Sequence, residues 1–165
     1  MKLNTKVNIL STLLTLLILI GSYTAIYFLF ENLAYDTEYA QLQNRADELV
    51  AAVSDVDSTA NIQSLFRAYI PPNGMLRVVN EHDKSLLHMQ ATSSSEKIPY
   101  KINPDEDFTI SMWHDTPVIA MEYPLIWPDH SVVTVELVQP LPDIAKNMEL
   151  LKWILIIMTL AAMIP

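Results

Sequence analysis

Two stretches without a charged residue bracket an acid-rich middle, and that segregation limits what the chain can fold into. All nineteen carboxylates lie between Glu31 and Glu149, whereas Val7 to Phe30 and Trp153 to Pro165 carry neither acid nor base. A helix rises about 1.5 Å per residue, so Val7–Phe30 would reach about 36 Å. That exceeds a hydrocarbon layer of about 30 Å. Lys2 and Lys6 precede the run, while Glu31, Asp36 and Glu38 follow it. The positive-inside rule therefore predicts a cytoplasmic N-terminus over residues 1–6, a transmembrane helix over 7–30 and an extracytoplasmic segment over 31–149. Tyr23, Tyr27, Phe28 and Phe30 gather toward the outer end, where interfacial aromatics are favoured. A cleaved signal peptide fits less well, because the apolar run continues through Ile26–Phe30, past an h-region of about 7–15 residues. Gly21, Ser22 and Ala25 form no convincing cleavage site. Gly21 and Ala25 are spaced to let two helices approach closely, although chance spacing in a Thr/Ser/Ala-containing helix is the better account of the pair.

The second run opens at Lys152 and Trp153, residues that favour the membrane interface. Its roughly 13 remaining residues make about 20 Å of helix, short of a span. Residues 150–165 are thus expected to be a truncated second transmembrane helix, and the chain a piece of a longer protein. A buried helix of a soluble domain is the alternative. The continuous apolar character of WILIIMTLAAMI argues against it, since a surface helix shows polar residues every third or fourth position.

The middle, 31–149, has the length of one domain. Of the ten Lys/Arg, only Arg45, Arg67, Arg77, Lys84, Lys97, Lys101 and Lys146 fall there against nineteen acids. Nucleic acid demands a basic face, so it is not an expected partner, and anionic lipid surfaces would repel the domain. With no cysteine there is neither a disulfide nor thiolate chemistry.

Periodicity orders this middle. Tyr35, Tyr39, Leu42, Ala46, Leu49, Val53 and Val56 recur at alternating spacings of four and three, an apolar seam on a long helix. The seam can pack on the domain's own sheet or on a second chain. Asp57 or Ser58 can cap a second helix whose face carries Ile62, Leu65, Phe66 and Tyr69. Pro71, Pro72 and Asn73-Gly74 turn the chain. The period then becomes two. Strands are expected over Met75–Asn80, Ser85–Ala91, Phe108–His114, Val118–Leu125 and Ser131–Gln139, with turns at Glu81–Lys84, Asp115–Pro117 and Pro128-Asp129. A polar loop, with the low-complexity Thr92–Ser95, separates the second and third strands. Phe108, Ile110 and Met112 alternate against Thr109, Ser111 and Trp113, while Val133, Val135 and Leu137 share one face. Pro140 and Pro142 are expected to break the sheet, and Asp143 to open a final helix. Helices before a run of strands predict an α+β domain, a roughly five-stranded antiparallel sheet with helices on one face.

Chemistry-bearing residues are few. His82, His114 and His130 have acidic neighbours, as metal ligands or pH sensors do, but each falls at an expected hairpin turn, where polar residues gather anyway. No histidine pair has the helical spacing of a zinc site. Asp105-Glu106-Asp107 and Asp55/Asp57 read better as solvated acidic surface. The segment Asp55-Val56-Asp57-Ser58-Thr59 resembles a calcium loop, but Ala60 and Phe66 stand where Gly and Glu are needed. No catalytic, metal or cofactor site is assigned. Arg77, His88, Trp113, Tyr123 and Trp127 are candidates to line a ligand cleft on the sheet, and as ordinary strand residues they need no ligand.

The layout resembles the N-terminal sensor half of a bacterial two-component histidine kinase of the Gram-positive type. The likeness is carried by the lysine-flanked run Val7–Phe30 and the long helix Tyr35–Val56. A PAS-like helix–sheet domain follows, with hairpin LRVVNEHDKSLLHM and strands VIAMEYPL and SVVTVELVQ, and then PDIAKNMELLKWILII leads into the second run. The likeness implies a homodimer, and beyond Pro165 a HAMP linker, a phosphoacceptor helix pair and an ATP-binding domain that serves a response regulator. It carries over no catalytic residue. His82-Asp83-Lys84-Ser85-Leu86-Leu87 lacks the Thr-Pro of a phosphoacceptor box and lies in an expected extracytoplasmic hairpin, so that role is rejected. The same sensor on a chemoreceptor or a diguanylate cyclase is the nearest alternative. A membrane-anchored binding or assembly protein without output is the other. The stimulus cannot be read from the residues.

Overall fold

The computed structural model describes residues 3–56, 61–91 and 96–162. The chain divides into two compact units, Met1–Ala34 with Asp143–Pro165, and Tyr35–Pro142. Helix α1 (Leu3–Ser54) contributes to both.

In the first unit, the apolar side chains of α1 are exposed around most of the helix, among them Leu10 at 68% and Leu17 at 66%. Leu16, Leu19, Tyr23 and Tyr27 make a half-buried line on α1. Helix α3 (Pro142–Ala162) has a matching line at Met148, Leu151, Leu155 and Thr159. The threonine hydroxyls do not stay unsatisfied on these apolar surfaces. Thr12, Thr15, Thr24 and Thr159 donate to the carbonyls four residues back, from Asn8, Ser11, Ile20 and Leu155 respectively. Such back-bonding spends the donor inside the helix. Gly21 and Ala25 are exposed, and the space about Gly21 is open. Among the described residues, α1 is the one helix long and apolar enough, by length and composition, to cross a membrane.

The second unit is α+β. Its sheet has strands β1 (Met75–Val79), β2 (Ser85–Gln90), β3 (Thr109–Trp113), β4 (Thr116–Ile126) and β5 (Val132–Pro140). They are antiparallel in the order β2-β1-β5-β4-β3. Helix α2 (Ile62–Ala68) buries Ile62 and Phe66, on the predicted face. Its predicted cap, Asp57 or Ser58, lies outside the described residues, as does Thr92–Ser95.

Cross-strand register sorts the side chains. Leu76, Val78, Ile119, Met121, Val135 and Leu137 share one face and are all buried. Leu42, Ala46, Leu49 and Val53 on the distal half of α1 are buried too. Tyr123 pairs with Val135 on that face, and Asp47 of α1 lies close enough to act on its phenol. The seam of α1 therefore covers the domain's own sheet. A further tie is Arg45, whose Nη1 donates to the Ile70 carbonyl at 3.1 Å.

The opposite face, for which no helix was expected, is covered as well. Met75, Val118, Ala120 and Val138 form a second core with Ile98, against which Tyr100, Ile102 and Trp113 pack. The segment read as a polar loop thus supplies apolar cover. Ile98, Tyr100 and Ile102 recur at every second position, the spacing of a strand face, although the segment forms neither helix nor strand. β3 is likewise shorter than expected. It turns Trp113 inward to this core and leaves Met112 62% exposed.

The prolines behave differently from expectation. Pro140 stays in β5 opposite Val118, and Pro142 starts α3 instead of only ending the sheet, a first-turn position where its missing N–H costs nothing. Pro124 is tolerated because β3 reaches only Thr116–Ala120 of β4, so beyond that point β4 has no partner on that edge. Gly74 is required by space. A Cβ there would lie 2.1 Å from the Val138 carbonyl oxygen.

Candidate functional site

Three of the four histidines occupy hairpin turns. His114 and Asp115 form a two-residue connection with φ of 47° and 61°, the backbone of a type I′ turn. Asp83 and His130 also take positive φ, each in a turn braced by a side chain. Asn80 Oδ1 accepts from the amides of His82 and Lys84 at 3.0 and 2.9 Å. Asp129 Oδ1 accepts from the Ser131 amide at 2.8 Å, and hydrogen bonds from Ser131 hold the Asp129 carboxyl below its ordinary range. Among the described residues, no three His, Asp or Glu side chains converge as a metal site requires.

The five cleft candidates do not converge either. Arg77 and His88 are cross-strand partners on β1 and β2, on the face that also takes Trp113. Tyr123 points to the helix-covered face, and Trp127 packs its ring at 5.8 Å from that of Phe66 on α2. A period of two sends strand neighbours to opposite faces, so residue type alone could not assemble them.

Each face instead carries its own polar feature. On the loop-covered face, Arg77 opposes Glu136 across β1 and β5, with Nη1 at 3.3 Å from Oε2. The Tyr100 hydroxyl donates to the same Oε2 at 2.7 Å, and Arg77 Nη1 donates to that hydroxyl at 3.2 Å. Burial first, and then the bond to Glu136, push the Tyr100 phenol above its ordinary value. Glu136 also faces Glu122 across β5 and β4. Like charges directly opposite repel, and Arg77 supplies the counter-charge. Neither Tyr100 nor Glu136 was a sequence candidate. Glu136 sits at the outward phase of Val133, Val135 and Leu137, which gave a signal. Tyr100 lies in a short alternation, Ile98-Tyr100-Ile102, within the segment taken for a polar loop.

On the helix-covered face, the Tyr123 hydroxyl is buried with no hydrogen-bond partner among the described residues. Burial, and secondarily Asp47, push its phenol well above the ordinary tyrosine range. Near it, a half-open, mainly apolar hollow of about 800 Å³ lies between the end of α1 and the β4–β5 turn. Val50, Val53, Leu125, Ile126, Trp127 and Val132 are among its walls, with His130 and Ser54 as polar points. A hollow of this size suits recognition of a small molecule.

A family model described as the ArlS sensor domain matches residues 30–150. The chain is also 29% identical over 157 residues to the sensor histidine kinase YkoH of Bacillus subtilis (strain 168), an alignment covering 94% of this chain. The chain spans about a third of that relative's length, 35%. No solved structure matches. The chain belongs to the ArlS sensor domain family, and its acid-rich middle is a sensor domain.

Proposed function

We propose that this sensor domain is the input half of a homodimeric two-component histidine kinase, relaying an extracytoplasmic stimulus to a cytoplasmic kinase core and its response regulator. In this reading, residues 1–6 are cytoplasmic, 7–30 form the first span, 31–149 form a PAS-like extracytoplasmic domain, and 150 onward begins a second span. The β2-β1-β5-β4-β3 order behind a long leading helix supports the PAS-like assignment. The back-bonded Thr159 and the exposed Trp153, Ile157 and Leu160 support a lipid setting for α3.

One observation carries the proposal. α1 runs without interruption from Leu3 to Ser54, so the helix that is apolar all round is the same helix whose seam closes the sensor sheet. At the other end only Leu141 separates β5 from α3. A stimulus that prefers one arrangement of the domain by about 1.4 kcal/mol would change a two-state ratio tenfold. Binding without such a preference would change nothing.

Insertion of proline next to Asp47 tests the relay. The expected result is a chain that still reaches the membrane while its kinase no longer answers the stimulus; an undiminished response would refute it. A reporter fused near position 90 checks the topology, which requires activity outside the cytosol. A His-Glu-x-x-Thr-Pro box downstream would identify kinase output, whereas a Gly-Gly-Asp-Glu-Phe motif or a long methylated coiled coil would assign the sensor to a different one.

A further inference from the structure

A shallow hollow of about 480 Å³ runs between α1 and α3 within the first unit. Tyr23, Tyr27 and Phe28 wall one side and Leu155 and Leu160 the other, with Lys152 at one end. The trough is apolar along its length, because the hydroxyls of Thr24 and Thr159 are spent on the carbonyls of Ile20 and Leu155. Lys152 is different. The ion pairs among the described residues are Arg77–Glu136 and His114–Glu96, so its ammonium has no carboxylate.

We propose that this trough seats one acyl chain of an anionic phospholipid, with the lipid phosphate at Lys152. The inference rests on the reading that both apolar runs lie in a bilayer, and it concerns one lysine-ended trough, not the acid-rich domain, which as a whole is repelled by an anionic surface. Length fits a single leaflet. From Lys152 to Leu160, as from Ile20 to Phe28, the lining covers eight residue steps, or about 12 Å. Half of a hydrocarbon layer is about 15 Å. Ile20–Phe28 is the outer half of the uncharged run Val7–Phe30, which places Lys152 at the outer headgroup level, where its stem lies along apolar surface and its charge meets phosphate. A second copy of the chain is a poorer occupant. A two-fold contact repeats the same patch on both partners, which would bring two Lys152 ammonium groups to the same level of the interface, with Glu31 and Glu149 as the carboxylates that flank that level.

The test uses the full chain in bilayer nanodiscs of phosphatidylglycerol or phosphatidylcholine, exchanged into mild detergent, with bound lipids counted by native mass spectrometry. The wild type should keep phosphatidylglycerol in preference to phosphatidylcholine. Lys152→Gln should lower that preference about fivefold, the worth of one lysine at an anionic surface, while Lys146→Gln leaves it unchanged. Thr24→Trp, which fills the trough, should release lipid with Lys152 intact. Equal retention of the two lipids, or an unaltered preference in Lys152→Gln, would overturn the proposal. A disulfide between copies of an Ile156→Cys variant, formed equally in both lipids, would also overturn it by giving the trough to a second chain. Extraction of the wild type by alkaline carbonate would instead refute the membrane reading beneath it.

Discussion

The two halves of α1 share one backbone conformation and differ in what surrounds them. In residues 7–30 apolar side chains surround the helix and most are exposed, as Leu10 and Leu17 show, with only the line Leu16, Leu19, Tyr23 and Tyr27 half-buried. In residues 35–54 the large apolar side chains fall mainly on one line, and its distal part is sealed: Leu42 is 1% exposed and Leu49 0%. A helix apolar all round needs lipid or a protein interior, whereas a striped helix needs one apolar partner and water. The comparison teaches that a single helix can call for two different surroundings when its side-chain pattern changes partway along.

The largest effect should come from the sealed half. Leu49→Ala should cost the domain about 2–5 kcal/mol, the range for truncating a fully buried leucine, read by urea denaturation with tryptophan fluorescence. The same change at Leu17 should leave that transition unmoved, and equal losses at both sites would erase the distinction between the halves. The converse substitution is Leu14→Arg. It should cost about 2.5–3.5 kcal/mol of membrane insertion, seen as a shift into the soluble fraction, whereas arginine at the exposed Gln43 should not alter fractionation.

A smaller effect of opposite sign probes how dry the contact between α1 and the sheet is. Tyr123→Phe removes a buried hydroxyl that has no partner, so it should stabilise the domain by about 1 kcal/mol. Its pH signature is distinct. The folded-state phenol is raised, so its contribution is complete below the ordinary tyrosine pKa of about 10 and is lost as pH climbs above it. The wild type should therefore lose stability more steeply than Tyr123→Phe in strong alkali. A destabilised Tyr123→Phe would show that the hydroxyl has a partner after all.

On the other face, Tyr100→Phe should cost about 1 kcal/mol, one hydrogen bond to a charged group half open to water. The smallest effect belongs to the surface pair of His114 Nε2 and Glu96 Oε1, at 2.7 Å. The bond from His114 holds Glu96 below its ordinary carboxylate value. Any stability it adds is present above the usual carboxylate range and fades as pH falls through the lowered value. Because both groups are well exposed, His114→Ala should leave the midpoint at neutral pH unchanged in a thermal melt.

Much of this was legible before any coordinates. The alternating four-and-three spacing from Leu42 to Val53 marks residues that prove buried, and Ile62 and Phe66 follow the same rule on α2. The period of two located all five strands to within a few residues. Legibility failed where the repeat is short. Ile98, Tyr100 and Ile102 alternate as a strand face does, yet they cover a sheet face from a segment without regular structure, and three positions do not say what they pack against. The partnership of Arg77, Tyr100 and Glu136 joins residues far apart in the chain, so no spacing records it. Cleft candidates chosen by residue type were scattered because strand parity sends Tyr123 and Trp113 to opposite faces.

The residues by themselves determined where charge is excluded, which segments are helix or strand, and which side of α1 must be covered, because these follow from periodicity and from the cost of leaving apolar surface in water. The tertiary structure alone decided that the seam closes on its own sheet and that a loop covers the second face. Those outcomes depend on strand order and register, which bring distant residues together and which no local pattern encodes.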